Sequence, residues 1–377
     1  MLIPFNKPFF VGTETRYIEE AVRSGKLSGD GMFTRRCEEW LQAKLGAPRV
    51  LLTTSGTDAL ELAALLLNLE PNDEVLLPSF TFSSTATAFA LRGARLVFVD
   101  STANRPAFDA DQLDSLVTPR TRAIVPVHYA GISCDMTTIN AVAEKNNLLV
   151  IEDAAQALGG RFEGKPLGTQ GALAAFSFHE TKNVTAGGEG GMLVINEPSL
   201  VARAEVLREK GTNRAAFFRG EVAKYNWVDV GSSFLPAEIN AAFLWAQLEK
   251  LDFIQQRRQE LWARYYKELQ SLNAFGIGLP NVPDYSAQNG HLFYLVCRSS
   301  TERTALIDFL KQRDITAIFH YQPLHNSPYY ASRHDGRELP WAIYYADCLV
   351  RLPLYTELEA SQQQRIISAV LEFYQVL

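Results

Sequence analysis

A chain of 377 residues, 47% apolar and 21% charged, is long enough for a large domain plus a smaller one and has the composition of a globular protein. Its formal net charge of −6 argues against a nucleic-acid binder, because no basic field would draw in phosphate backbones. Nothing resembles a signal peptide or membrane span, and Cys37, Cys134, Cys297 and Cys348 lack CxxC spacing, so reduced buried thiols and a cytoplasmic setting are expected.

The first two-thirds alternates short apolar runs with amphipathic stretches. Arg49 to Thr53 reads as a strand and Thr57 to Leu67 as a helix. Further strands are expected at Glu74–Leu77, Leu96–Val99 and Ala123–Val127, and a helix at Met136–Lys145 leads into a strand at Leu148–Ile151. Phe176–Phe178 and Met192–Ile195 add two more. Strands alternating with helices predict an α/β fold with a mostly parallel sheet covered on both faces. From Leu235 to Leu269 the pattern predicts one long helical stretch. Beyond Pro280 come a strand at His291–Val296 and helices at Glu302–Lys311 and Ser361–Tyr374, enough for a small α+β domain. The expected division is a large domain over residues 1–250 and a small one over 251–377.

Lys182 carries the chemical argument. It lies between Phe176-Ser177-Phe178 and Gly187-Gly188-Glu189-Gly190-Gly191, where a solvated surface lysine is an unusual occupant. Upstream, the apolar run Leu148–Ile151 ends in Glu152-Asp153. A lysine for a Schiff base and a carboxylate for a pyridinium nitrogen are the pair that pyridoxal phosphate chemistry uses. Asp153 ends a strand where open α/β sheets bind ligands, although it would serve equally as an N-cap for a following helix. Gln156, one turn on, would face the ring's phenolic oxygen. Thr54-Ser55-Gly56-Thr57-Asp58 joins strand to helix and would cradle a phosphate on backbone amides, with the Asp58 carboxylate turned away or engaged at the helix start. Ser177 supplies a hydroxyl for the same phosphate. Phe82, just past a strand end, is either a stacking platform for a flat ring or a core residue. The Gly187–Gly191 run does not fit GxGxxG, and the six histidines show no metal-ligand spacing, so neither a dinucleotide nor a metal site is expected.

These motifs, with Pro78-Ser79-Phe80-Thr81-Phe82, Glu152-Asp153-Ala154-Ala155-Gln156 and Ser177 to Asn183 in succession, resemble the DegT/DnrJ/EryC1/StrS family of sugar-nucleotide aminotransferases. The likeness runs from Ser24-Gly25-Lys26-Leu27 to Phe319-His320-Tyr321-Gln322-Pro323-Leu324-His325 and Leu352-Pro353-Leu354. It implies the aspartate aminotransferase-like fold type I, with a mostly parallel seven-stranded sheet in the large domain. It also implies that Lys182 forms the Schiff base with pyridoxal 5′-phosphate and acts as general acid and base, that Asp153 partners the ring nitrogen, and that Gln156 and Phe82 meet the ring. Thr57, Asp58 and Ser177 match the phosphate positions. The family works as homodimers whose active sites are completed by the partner subunit. Where many members read Gly-x-Asn-Tyr-Arg, this chain has Gly231-Ser232-Ser233-Phe234-Leu235, so Ser233 stands in place of an asparagine that reaches the phosphate across the dimer.

The stretch Arg208–Asn213 through Arg214, Phe217, Phe218 and Arg219 resembles the branch that aminates dTDP-4-dehydro-6-deoxy-D-glucose at C4, as in enterobacterial common antigen synthesis. L-Glutamate would be the amino donor, pyridoxamine phosphate the intermediate cofactor form, and a dTDP-4-amino-4,6-dideoxygalactose the product. Arg214 and Arg219 would pair with the substrate diphosphate, or else be plain loop arginines, and His320 and Tyr321 would meet the sugar. The rivals are a C4 enzyme giving the gluco product, a C3 aminotransferase, a dehydratase on the same fold and a non-catalytic sensor. Lys182, where the dehydratases carry a histidine, weighs against the third, and intact Lys182, Asp153 and Ser177 together weigh against the last.

Overall fold

The computed structural model describes residues 2–376. Seven strands form the central sheet: β1 (Arg49–Thr53), β2 (Glu74–Pro78), β3 (Arg95–Val99), β4 (Thr121–Ile124), β5 (Leu149–Asp153), β6 (Leu173–Ser177) and β7 (Gly191–Ile195), in spatial order β1-β7-β6-β5-β4-β2-β3. β7 runs antiparallel to both neighbours and the remaining pairings are parallel. The continuous apolar runs follow from burial on both faces. Val50 and Leu52 enter one core while Leu51 enters another, and Met192 and Val194 divide from Leu193 and Ile195 in the same way. This is the α/β architecture that the alternation predicts, with every parallel strand ending on one edge of the sheet.

A third core gathers Leu261, Trp262, Tyr265, Phe293, Leu295, Val350 and Tyr374 around the antiparallel pair Phe293–Val296 and Leu349–Leu352, with the helices Ser300–Lys311 and Ala360–Val376. Ile3 belongs to this core too, its amide donating to Asp314 O at 2.8 Å.

The single long helix expected over 235–269 is instead two, Glu238–Leu248 and Leu251–Glu268. Lys250 breaks the run at φ −112°, ψ 11°. The first helix buries Ala241, Leu244 and Leu248 in the sheet core, and the second turns Leu261, Trp262 and Tyr265 into the third core. Serving two cores requires a change of axis. Gln247-Leu248-Glu249-Lys250-Leu251 holds no glycine or proline to announce it. β4 likewise stops at Ile124, ahead of Pro126, and Val127 meets Asp153 only through an isolated bridge.

Candidate active site

The ends of β5 and β6 open on a cavity of about 690 Å³ whose far wall comes from residues 318–321 and 351–354. β6 and β7 form a wide hairpin, and Lys182 rides in its loop. Phe178 and Glu180 amides donate to Gly190 O and Gly188 O at 2.7 and 2.9 Å, closing the loop upon itself. Gly187 and Gly188 take φ of +85° and +131°, angles an L side chain resists, which explains the glycine run beside the lysine.

Asn183 anchors the loop from below. Its amide nitrogen donates to Asn289 O and Gln255 Oε1, both at 3.2 Å, which turns Oδ1 toward His291 Nδ1 at 2.9 Å. His291 therefore carries its proton on Nδ1, and burial with the nearby Lys182, Arg258 and Arg351 charges holds its pKa well below the usual imidazole range. Burial of the Lys182 ammonium lowers its pKa to about 8; Asp153 opposes that shift and Arg351 adds to it. About a tenth of the amine is thus neutral near pH 7, far more than for an ordinary lysine, and neutrality is the condition for a nucleophilic lysine.

Asp153 is buried, and desolvation raises its pKa while hydrogen bonds from Thr85 and Ala155 and the charge of Lys182 pull the other way. Thr85 Oγ1 donates to Oδ2 at 2.7 Å and Ala155 N–H to Oδ1 at 3.1 Å. No helix follows; the chain turns instead, so Asp153 faces the cavity rather than capping an element. Behind it, Glu152 accepts the amides of Gly168, Gln170 and Gly171 at 2.7 Å each and meets His128 Nε2 at 2.8 Å, fixing the strand end rigidly. Gln156 accepts Ala130 N–H at 2.7 Å and donates to Tyr321 Oη at 2.8 Å.

At the other end of the cavity the helix Gly56–Leu66 points its N-terminus at Ser177. A Cβ added to Gly56 would sit 2.8 Å from Ser177 Cβ, so only glycine permits this approach. Asp58 N–H is held by Ser55 Oγ at 3.0 Å and its carboxylate accepts from Thr54 Oγ1, which leaves the first-turn amides of Gly56 and Thr57 for an anion. Thr57 Oγ1 shares a hydrogen bond of 2.7 Å with Ser84 Oγ. Phe82 is 58% exposed with its ring at the cavity, a platform rather than a core residue.

Eight of the residues singled out from the sequence thus line one cavity: Thr57, Phe82, Asp153, Gln156, Ser177, Lys182, His320 and Tyr321. Asp58 sits behind it. Ser233 is exposed and bridges Glu209, away from the cavity. Arg214 is held by Glu209 at 2.6 Å, and Arg219 by Glu205 and Glu221 at 2.8 and 2.7 Å, so both arginines are engaged within their own chain. His291, Arg258 and Arg351 line the cavity without having been singled out. Arg351 had a visible signal, a charge inside the apolar run Leu349-Val350-Arg351-Leu352.

Residues 10–371 match the DegT/DnrJ/EryC1/StrS aminotransferase family. Among solved structures, the aminotransferase TlmJ from Streptoalloteichus hindustanus is similar over 100% of this chain and 99% of its own, with 28% identity and a TM-score of 0.91. DesV from S. venezuelae, solved in complex with a ketimine intermediate, is similar over 99% of this chain and 98% of its own, at 32% identity and TM-score 0.89. Spr1654 from Streptococcus pneumoniae, assigned as a sugar aminotransferase and solved in its PMP form, is similar over 100% of both chains at 26% identity and TM-score 0.91.

Proposed function

This chain belongs to the DegT/DnrJ/EryC1/StrS aminotransferase family, and we propose that it transfers the amino group of L-glutamate to C4 of dTDP-4-dehydro-6-deoxy-D-glucose, giving the galacto 4-amino sugar and 2-oxoglutarate. Its cofactor is pyridoxal 5′-phosphate. The side chains fit that group: a desolvated amine and a buried carboxylate share one cavity, and the absence of a Cβ at Gly56 lets the helix N-terminus, with its first-turn amides, approach Ser177 closely. The observation that carries the reading is that Lys182 and Asp153 line one cavity, the lysine desolvated there so that its pKa falls to about 8 while the Asp153 charge opposes the shift.

When bound, the cofactor supplies a carbonyl carbon that captures amines and a ring that accepts electrons. Lys182 Nζ would hold the cofactor and, when free of it, would take the proton from the donor carbon that bears the amine. Asp153 keeps a proton on the ring nitrogen, with Thr85 and Ala155 fixing its orientation. Phe82 offers its face to the ring, Gln156 its amide to the ring oxygen, and Thr57 and Ser177 their hydroxyls to the phosphate. In the second half-reaction Lys182 returns a proton to the sugar carbon that receives the amine.

A homodimer with shared sites suits the segment after Arg208, where Phe218, Tyr225 and Trp227 are 70%, 53% and 80% exposed. Ser233, in the same segment, would reach the partner's phosphate site. We place the protein in the cytoplasm and the domain division near residue 250. Among the described residues no helix is long and apolar enough to cross a membrane.

The test is a product assay. The protein is given dTDP-4-dehydro-6-deoxy-D-glucose, L-glutamate and pyridoxal phosphate, with Lys182→Ala alongside, and the sugar is read by NMR. An amine at C4 made only by the parent protein is expected, with ring couplings of the galacto configuration. Bound cofactor without a C4 amine would reject the substrate assignment and direct attention to 3-keto sugars.

A further inference from the structure

His291 offers the cavity an acceptor that no group of the chain meets. A series of amides locks its ring. Gln255 Nε2 donates to Leu158 O, which leaves Gln255 Oε1 to accept from Asn183 Nδ2 at 3.2 Å. Asn183 Nδ2 also donates to Asn289 O, so its Oδ1 is the atom that faces His291 Nδ1 at 2.9 Å. The backbone of His291 is held as well, its amide by Asn289 Oδ1 at 3.0 Å and its carbonyl by an Arg258 Nη at 2.6 Å. With the proton committed to Nδ1, Nε2 carries a lone pair. Among the described residues nothing donates to it, and the residue, only 8% exposed, lines the cavity. Burial and the charges of Lys182, Arg258 and Arg351 all disfavour a second proton, so the ring stays neutral.

Lys182 is the complementary case. Burial and the charges of Asp153, Arg351 and Glu189 act on its amine, but no hydrogen bond within the described residues reaches Nζ. A donor and an acceptor that face one partly dry cavity, each unpaired, gain by meeting. The direction of that bond is fixed. Nε2 has no proton to give, so Nζ donates to it whether the amine is neutral or charged. The reach is short, because the residue that anchors the imidazole is Asn183, one peptide unit and about 3.8 Å of chain from Lys182. The imidazole is pinned and the lysine stem flexible, so the amine is the partner that moves. Asp153 is less free to take this part, since Thr85 and Ala155 already donate to it and it faces the ring nitrogen in the reading above.

We propose that His291 is the positioning residue for the Lys182 amine: its Nε2 accepts from Nζ whenever the lysine is free of the cofactor, and so aims the Nζ lone pair at the carbon that loses its proton. The assignment rests on the reading of Lys182 as the proton carrier of a transaminase. As the donor's C–H bond breaks, its proton joins Nζ while another N–H stays on Nε2. The ammonium keeps that bond until it delivers a proton, and His291 itself neither gains nor loses one. Both half-reactions use the same lysine, so both depend on His291 alike.

The experiment turns on which ring nitrogen a substitute side chain reproduces. Asparagine puts its amide where Nδ1 was, and glutamine puts its own where Nε2 was. Single-turnover rates are read by cofactor absorbance in parent, His291→Asn and His291→Gln, from the pyridoxal phosphate-loaded protein with L-glutamate and from the pyridoxamine-loaded protein with the keto sugar. His291→Asn keeps the bond to Asn183 but offers Nζ nothing, and should lose roughly 10- to 10²-fold in both half-reactions with cofactor affinity by dialysis unchanged. His291→Gln, which restores an acceptor, should recover most of that loss. A readout apart from turnover is the ¹⁵N spectrum of histidine-labelled, cofactor-free protein. The unprotonated nitrogen of His291, identified by its disappearance in His291→Gln, should move downfield when Lys182→Ala removes its donor, and this decides the matter if the glutamine variant does not retain cofactor. A purely structural histidine reverses the order of the two variants and leaves that resonance where it was. A loss confined to the sugar half-reaction would give Nε2 to a substrate hydroxyl and overturn the assignment. A Lys182→Ala protein that converts both substrates at the parental rate would instead overturn the reading of Lys182 as proton carrier.

Discussion

The two walls of the cavity are built differently. On the sheet side, Asp153, Gln156 and the Lys182 loop are held by hydrogen bonds to other parts of the chain, and the Glu152–His128 pair stiffens the strand end beneath them. On the other side, His320 and Tyr321 stack at 3.6 Å and 25°, His320 Nδ1 shares a 2.6 Å hydrogen bond with Tyr129 Oη, Tyr321 accepts from Gln156, and Arg351 keeps an unbonded Nε. A wall that holds one cofactor throughout the cycle gains from committed partners. A wall that must receive a charged donor and then a neutral ketone gains from groups still free to bond.

The largest effect should come from Lys182→Ala, which removes nucleophile and proton carrier together; a loss of about 10⁴-fold or more in transamination is expected by stopped-flow and steady-state assays. Asp153→Asn keeps the shape but not the charge, and about 10²- to 10³-fold should be lost, with cofactor still bound. If that variant retained near-parental rates, the sheet wall would be scaffold rather than machinery. Gly56→Ala drives a Cβ to 2.8 Å from Ser177 Cβ and should weaken cofactor affinity by about tenfold or more, as read by equilibrium dialysis. The same Gly→Ala change at Gly46, where a Cβ meets nothing within 4 Å, gives the comparison for a glycine with open space, although its φ of +69° brings its own cost.

The pH response follows from the same wall. Burial depresses Lys182 to about 8, so the folded chain has released that proton between pH 8 and the ordinary 10.5 while the unfolded chain retains it. Stability of the cofactor-free protein attributable to this group therefore rises with pH through that window, and the penalty for the buried ammonium is fully felt below about 8. Cofactor uptake should accelerate as pH rises through about 8. Since Asp153 raises the lysine's pKa, Asp153→Asn should move that midpoint downward. An upward move would mean that the two groups are not coupled as placed here.

The same division governs what could be read before the structure. Residues on the sheet wall announce themselves because local pattern and chemistry coincide: an apolar strand ends in Asp153, and glycines crowd Lys182. The seven strands were visible for a similar reason, since burial on both faces writes uninterrupted apolar runs. The break at Lys250 was not, because it answers to two cores and leaves no local mark. Arg351 reaches the cavity through pairing of strands far apart in sequence and His291 through its hydrogen bond with Asn183, and only the fold places them there. Arg214 and Arg219 pair with carboxylates at Glu205, Glu209 and Glu221 of their own chain, contacts that the local sequence does not display.

The smallest effect, and the finest test of the division, lies at Tyr321. Its hydroxyl accepts from Gln156 Nε2 at 2.8 Å, a direct hydrogen bond between the walls. Burial raises the phenol's pKa, so it remains protonated at working pH. In Tyr321→Phe the ring still stacks on His320, and Gln156 remains tethered by Ala130 N–H at 2.7 Å. One neutral hydrogen bond is lost while both partners stay in place, an effect of about three- to tenfold. It should fall on the half-reaction with the sugar and leave cofactor affinity unchanged, as measured by single-turnover absorbance beside dialysis. A variant that lost cofactor as severely as Gly56→Ala would join the two walls into one unit and end the distinction between a committed face and a receptive one.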